Sequence, residues 1–109
     1  MFKIENNKIT LTRGDTLIAK ITITTRDGQT YIPNESDSIR FAMKKTFWNE
    51  DVVLQKEIPV STMLLRIEPE DTKKLRFGEY VYDIQLTKED GIVDTFIAKG
   101  HIRIDEEVM

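Results

Sequence analysis

Cysteine is absent from this chain of 109 residues, and histidine and tryptophan occur only once each. Without cysteine neither disulfides nor thiolate metal sites can form, so packing must hold the fold together. The single histidine, His101, excludes a cluster of histidine ligands. Period-2 counting places it on the outward face of the last strand, between Lys99 and Arg103, with no nucleophile or carboxylate indicated nearby. We therefore expect no enzyme, no metal and no cofactor.

Long hydrophobic runs are also absent. The longest apolar runs are a few residues, far short of the roughly 20 that span a bilayer. The first eight residues contain no apolar core of a secretory signal, so we expect neither membrane insertion nor export by a cleaved leader. A chain of this length buries roughly 65% of its unfolded surface. Residues 1–109 are therefore predicted to form one domain with its own core.

Charges of both signs are present in similar numbers, 16 basic against 19 acidic residues, for a net charge of −3. A nucleic-acid-binding protein needs a basic face that displaces counterions from phosphates. The similar numbers of basic and acidic residues in this chain argue against a nucleic-acid partner. A reducing compartment is compatible with the lack of cysteine but is not required by it.

Alternation of apolar and polar residues runs through most of the chain and predicts an all-β fold. Turn signals at Asp27-Gly28 and before Gly91 separate the strands. Residues 31–37 read as a polar loop, and Gly100 in the last strand indicates a bulge or bend. The seven main strands are predicted at 2–11 (in two short pieces), 16–24, 39–43, 52–58, 63–67, 80–86 and 92–104. On the last of them, Ile92, Phe96, Ala98, Ile102 and Ile104 are expected to face the core.

One short helical turn is predicted before the sixth strand. Pro69 suits a first helical position, and the acids after it suit the helix N-terminus. Gly78 and Tyr80 then match the corner of immunoglobulin-like sandwiches, where a tyrosine hydroxyl bonds back to the preceding turn. We therefore predict an antiparallel, immunoglobulin-like β-sandwich with Gly78 and Tyr80 as its structural corner. Strand order as in a jelly roll stays an open alternative.

Phe47 and Trp48 are the candidate contact residues, because they are predicted at a loop tip beside Lys44 and Lys45. Exposed aromatic side chains on loops commonly contact sugars or protein partners. A second interpretation has Trp48 folded back as a cap on the core. The sequence favours neither interpretation over the other.

Other motifs have plainer explanations. Arg13-Gly14-Asp15 spells an adhesion tripeptide, but its glycine and Asp15 suit the turn into the next strand. The acidic clusters at 68–71, 89–90 and 105–107 fall at turns and at a chain end, where charge is solvated. We expect no calcium site in them, since no Asp-x-Asp-x-Asp-Gly loop is present.

Two segments together resemble a family. Residues 9–16 lead into an alternating strand and an Asp-Gly turn. Residues 69–72, with Leu75, Gly78 and 80–85, lead into a hairpin and a closing strand. This layout resembles small prophage-encoded proteins of Gram-positive bacteria and the N-terminal domain of phage upper baseplate proteins. The resemblance implies an immunoglobulin-like or jelly-roll-like module that attaches receptor-binding components to the tail.

In the baseplate family this module is followed by a long extension that reaches the receptor-binding protein. The chain stops at Met109, so an arm or scaffold role is expected to need another subunit. We accordingly expect a non-enzymatic interaction protein of a phage or prophage tail, oligomeric when assembled, whose partners are other virion proteins. Its expected location is the virion, or the bacterial cytoplasm during assembly. The alternative is a carbohydrate-binding or adhesive module at a cell surface, with Phe47, Trp48 and Tyr31 as stacking residues.

Overall fold

The structure, a computed structural model, describes residues 2–5, 7–24, 27–48 and 50–106; of residues 2–5 and 96–99 it describes the backbone only. Within these ranges the chain forms ten strands and one helix of five residues, so the all-β prediction is confirmed. The elements are β1 (Phe2–Glu5), β2 (Lys8–Thr12), β3 (Leu17–Lys20), β4 (Ile23–Thr24), β5 (Thr30–Tyr31), β6 (Ser38–Lys44), β7 (Val52–Ile58), β8 (Leu64–Ile67), α1 (Pro69–Lys73), β9 (Gly78–Thr87) and β10 (Val93–Asp105).

Six strands form the main sheet in the order β1-β2-β10-β9-β6-β7, and β3-β8 and β4-β5 form two-stranded sheets. The prediction of a wholly antiparallel arrangement is wrong at one place. β2 runs parallel to β10, with Lys8 opposite His101 and Thr12 opposite Asp105. A parallel pair needs a long connection, and here 88 residues of intervening chain, 13–100, provide it.

The core lies between the main sheet and the β3-β8 sheet, whose inward side chains form one buried cluster. Alternation of buried and exposed residues is clear on β3, and it is as expected on β6 for Ile39, Phe41 and Met43. β7 and α1 begin and end close to their predicted limits. The fully buried large side chains are those of Leu11, Leu17, Ile39, Phe41, Met43, Ile58, Leu65, Ile67, Ile84, Ile102 and Ile104.

Three predicted details are wrong. The strand at 16–24 is split into β3 and β4, because Ile21 and Thr22 leave strand geometry. Tyr31 belongs to a short strand, paired with Ile23, rather than to a loop. Ile92 is 54% exposed and precedes β10, since it lies in the hairpin turn where Lys88 N donates to its carbonyl at 2.8 Å. The inward orientation predicted for Phe96 and Ala98 falls outside the described side chains.

The tyrosine corner forms as predicted. The Tyr80 hydroxyl donates to the carbonyl oxygen of Arg76 at 2.7 Å, and Tyr80 is 4% exposed. Gly78 begins β9 with φ +135°, a conformation that favours glycine. The bond closes the connection between α1 and β9 and fixes the entry of the chain into the central strand.

The turn at 13–15 is joined to this corner. The Gly14 N–H donates to the hydroxyl of Thr72, a fully buried residue of α1, at 2.9 Å. The Arg13 guanidinium lies 4.3 Å from the centre of the Phe77 ring, and its Nη1 donates to the Leu75 carbonyl at 3.4 Å. Arg13-Gly14-Asp15 is thus a turn that packs within the fold, with the arginine held against the corner.

Tyr82 and Gly100 fit together across the strand pair β9–β10. The two residues are opposite each other, and a Cβ at position 100 would come within 2.3 Å of the Tyr82 ring. The ring therefore occupies the space that a side chain at position 100 would fill. Its hydroxyl donates to the Asn7 carbonyl at 2.8 Å, and burial raises the pKa of Tyr82 to about 12. The pairing of β10 with β9 shifts between Ile97 and Gly100, which confirms the predicted irregularity.

We predict that Gly100→Ala destabilises the protein by about 1–3 kcal/mol, because the added methyl group overlaps the tyrosine ring. Gly100 has no positive φ, so backbone strain does not contribute. Urea unfolding followed by circular dichroism measures the free energy. In the Tyr82→Leu background, which lacks the ring, the same substitution should cost under about 1 kcal/mol. Equal costs in both backgrounds would show that the ring contact is not the cause.

Asp37 holds the connection between β5 and β6. Its carboxylate accepts hydrogen bonds from the Asn34 N–H at 3.0 Å and the Tyr31 hydroxyl at 2.8 Å, and the residue is 7% exposed. These donors, the Asn34 N–H first, lower the pKa of Asp37 below its ordinary 3.8. The same bond to the carboxylate raises the pKa of Tyr31. The buried charge therefore organises a segment that the sequence describes only as a polar loop.

Protonation of Asp37 should destabilise the fold. A carboxyl whose folded pKa is lowered contributes stability above its unfolded pKa, and loses it as the pH falls through the folded pKa. We predict that Asp37→Asn weakens the dependence of the urea midpoint on pH between 7 and 3. The matched control is Glu35→Gln, an exposed acid in the same connection. An unchanged pH dependence in Asp37→Asn would contradict the assignment.

Candidate interaction surface

The β6–β7 connection carries the two predicted contact residues, Phe47 and Trp48. Trp48 is 87% exposed and Phe47 is 39% exposed, so they lie at the surface. The interpretation of Trp48 as a core cap is therefore wrong. An indole that is almost fully in water gains nothing for folding, and its apolar area is available to a partner.

A groove of about 190 Å³ lies beside this loop, near the start of β9. On one wall the Phe47 ring meets the His101 imidazole edge-on, with ring centres 5.9 Å apart and planes at 83°. On another wall the Lys45 ammonium lies 5.6 Å from the centre of the Tyr80 ring. The groove is lined by Lys45, Thr46, Phe47, Trp48, Glu79, Tyr80, Val81 and His101.

Phe47 and Trp48 have different roles. Ala42 and Val81 lie on the outward face of the main sheet, yet they are only 2% and 9% exposed. Phe47 borders a hollow together with both of them, and its ring meets His101 of β10 edge-on. Phe47 thus anchors the loop on the sheet. Trp48 is left as the part of the loop that projects into solvent.

The sequence did not associate Glu79, Val81 or His101 with the aromatic loop. They are separated from it by more than 30 residues and come close because β9 pairs with both β6 and β10. Val81 is opposite Lys44 on one side and His101 on the other. The only signal in the sequence was the outward position of His101, which says nothing about its neighbours.

Gly78 and Tyr80 connect the corner to this surface. Tyr80 bonds to Arg76 through its hydroxyl, while its ring forms part of the groove. The conformation at Gly78 directs β9 into the sheet just before Glu79 reaches the groove. The corner residues are therefore structural, as predicted, and they also position one wall of the candidate surface.

The side chains of the acidic clusters accept hydrogen bonds in turns and form ion pairs. Asp71 caps the helix by accepting the Glu68 N–H at 2.7 Å, and it pairs with Lys56 at 2.9 Å. Asp90 accepts the Ile92 N–H at 3.0 Å in the hairpin turn, and Asp105 pairs with Arg103 at 2.7 Å. Glu107 lies outside the described residues. Within the described ranges, no group of three or more acidic or histidine side chains could hold a metal ion.

The groove offers an ammonium, a carboxylate and an imidazole around aromatic rings. Such groups can donate and accept hydrogen bonds and can stack, which is the chemistry of recognition. In the part of the chain that the structure describes, no helix is long and apolar enough to cross a membrane.

Comparison of the chain with protein-family models, with curated proteins and with the solved structures gives no match.

Because Trp48 is the only tryptophan, its fluorescence reports this loop alone. We predict that acrylamide quenches the folded protein almost as strongly as it quenches the urea-unfolded chain. Trp48→Ala should change the free energy of unfolding by less than about 0.5 kcal/mol, because an exposed side chain contributes little to stability. Marked protection from acrylamide, or a large loss of stability, would contradict the surface position.

Proposed function

We propose that this protein is a non-enzymatic docking module of a phage or prophage tail, of the baseplate type. Its fold is an immunoglobulin-like sandwich, and it contacts another virion protein through the β6–β7 loop. The observation that carries the proposal is the exposure of Trp48, at 87%, beside a groove with mixed polar groups.

The strand arrangement supports the immunoglobulin-like part of the proposal. In that fold the strands C, F and G form one sheet, with an added C′ strand in variable-type domains, and B and E lie in the other sheet. Here β6, β9 and β10 are neighbours in the order that C, F and G would have, and β7 takes the place of C′. β3 and β8 pair as B and E would. The hydroxyl bond of Tyr80 to Arg76 matches the tyrosine corner before strand F.

Recognition by Trp48 has a clear physical basis. Tryptophan buries a large apolar area at a low entropic cost, and it is enriched among the residues that dominate binding energies. Phe47 holds the loop on the sheet, so less conformational freedom is lost when a partner binds. The charged groups Lys45 and Glu79 stand at the groove, where polar rim contacts give specificity.

The phage assignment is supported by the resemblance of residues 9–16 and 69–85 to baseplate modules. The two segments are in contact through the bond of Gly14 to Thr72 and the stacking of Arg13 on Phe77. These contacts give a physical reason for the two motifs to occur together, because they join the two segments into one structural unit.

The test is the location of the protein in particles made by the bacterium that encodes it. After prophage induction, particles are purified on a density gradient and probed with an antibody against this chain. We expect the protein in the intact tail fractions, and we expect Trp48→Ala to reduce its incorporation at least about tenfold, as loss of a dominant contact does. The matched control is Ile32→Ala, which removes another strongly exposed apolar side chain, 81% exposed, away from the groove.

Other outcomes would contradict different parts of the proposal. Detection only in particle-free fractions would overturn the assignment to a tail. Equal loss with Ile32→Ala would overturn the role of the aromatic loop.

Exposed tryptophan also favours a second function, stacking on sugar rings. Binding of the protein to host wall polysaccharides on a glycan array, abolished by Trp48→Ala, would replace protein docking by carbohydrate binding.

A further inference from the structure

A second feature is built from residues other than those of the aromatic loop. A cavity of about 160 Å³ opens between the two main layers, and we call it the slot. Its floor is largely apolar, with small Ala19 on one side and core residues below. The slot is lined by Asn7, Ile9, Ala19, Lys20, Ile21, Thr22, Leu65, Tyr82 and Ile84.

The strands β3 and β10 each have an edge without a neighbouring strand among the described residues, and the slot is lined by one of them, β3. β2 pairs with β10 only over 101–105, which leaves this edge of β10 without a neighbour along 93–100 within the described ranges. β3 pairs, in the part of the chain that the structure describes, with β8 alone. The Ile21 N–H donates to Met63 on the β8 side, and backbone groups alternate along a strand. Those of Ile18 and Lys20 therefore face the free edge, where a further strand can pair.

The chain's own N-terminal strand is turned away from the slot. Asn7 has φ +64°, which reverses the chain so that β1 pairs with the far edge of β2. Its carbonyl is held by the Tyr82 hydroxyl at 2.8 Å and by the His101 N–H at 3.3 Å. If residues 2–5 continued straight from β2, they would run along the free edge of β10. The fixed reversal at Asn7 leaves this place for another molecule.

We propose that the slot accepts an extended segment of a partner protein, which adds as a strand to the free edge of β3. This is a second docking surface, separate from the aromatic loop and independent of the function assigned to that loop. Strand addition uses backbone hydrogen bonds for affinity and pockets for alternate side chains for specificity. The register of β3 defines which side chains the segment carries.

The side chains of β3 specify the residue type at three neighbouring positions of the segment. The central side chain points inward beside Ala19, and a cavity near 150 Å³ is large enough for a benzene ring. That side chain is therefore phenylalanine or leucine. The flanking side chains point outward, one beside Ile18, which is 43% exposed, and one beside the ammonium of Lys20. Cross-strand pairing selects a β-branched residue for the first and a carboxylate for the second.

The absence of cysteine allows a direct test with the full chain. Thr22→Cys places a thiol at the exposed rim of the slot. The probes are two peptides, Thr-Val-Phe-Glu-Thr-Gly-Cys for a segment parallel to β3 and Cys-Gly-Thr-Glu-Phe-Val-Thr for an antiparallel one, so that each places the glutamate beside Lys20 and the cysteine near position 22. Matched peptides carry serine in place of phenylalanine, or lysine in place of glutamate. Each peptide is supplied as the disulfide of its cysteine with 2-mercaptoethanol, so that exchange with the thiol at position 22 forms the protein–peptide disulfide and releases 2-mercaptoethanol. The measurement is the equilibrium fraction of protein–peptide disulfide at several concentrations of added 2-mercaptoethanol.

We expect one of the phenylalanine peptides to form the mixed disulfide at least about tenfold more strongly than its serine counterpart, because one ring is buried. Adding Ala19→Leu fills the slot and should remove this preference. Lys20→Glu, at an exposed position, should reverse the preference for glutamate over lysine in the peptide. Equal binding of the phenylalanine and serine peptides overturns the proposal, as does a phenylalanine preference that survives Ala19→Leu or a glutamate preference that survives Lys20→Glu. Loss of particle incorporation by Trp48→Ala has no bearing on either result.

Discussion

The contact between Tyr82 and Gly100 is the constraint on which the rest of the sheet depends. The missing side chain at position 100 lets the tyrosine ring lie across β10, and the ring carries its hydroxyl to the Asn7 carbonyl. This bond fixes the start of β2 against β10 and so establishes the one parallel pair of the main sheet. The chain has no cysteine, and a buried phenol with one hydrogen bond provides this link.

A second joint lies at the start of β9, which also borders the groove beside the aromatic loop. The turn at 13–15, helix α1 and the start of β9 meet there through the bonds of Gly14 to Thr72 and of Tyr80 to Arg76. Each bond closes a local turn or links segments more than 50 residues apart. Backbone groups at helix ends and turns need such partners, since they have none within their own element. The candidate surface adjoins this joint, with the Phe47 ring against His101 and Trp48 projecting into solvent.

The two surfaces differ in the physics of recognition. At the aromatic loop the apolar area is convex and the nearby charges surround it, which suits contact with a preformed surface. At the slot the apolar area is concave, and unpaired backbone edges run beside it, which suits an extended chain. The two proposals accordingly assign a folded partner to the aromatic loop and an extended segment to the slot.

Much of the fold followed from the sequence, because alternation and turn residues act locally. Apolar residues two apart placed β6, β7, β8 and β9, and Pro69, Gly78 and Gly91 placed the helix and the turns around them. The Tyr80 corner was predictable since its bond spans four residues. Alternation of apolar and polar residues did not separate β3 from β4, and it extended the predicted last strand to Ile92. The pattern carries no information about where the hydrogen bonds between neighbouring strands begin and end.

What only the tertiary structure decided is which distant residues are neighbours. The parallel pairing of β2 with β10, the meeting of His101 with Phe47 and the gap between β3 and β10 all depend on strand order, which leaves no local trace in sequence. The exposure of Trp48 was undecided for the same reason: an apolar residue near a loop tip has the same pattern whether it covers the core or projects from it. The sequence by itself determined an all-β chain and the bond of Tyr80 to Arg76, since those features arise within a few residues, and the packing of its layers determined which side chains and cavities reach the surface.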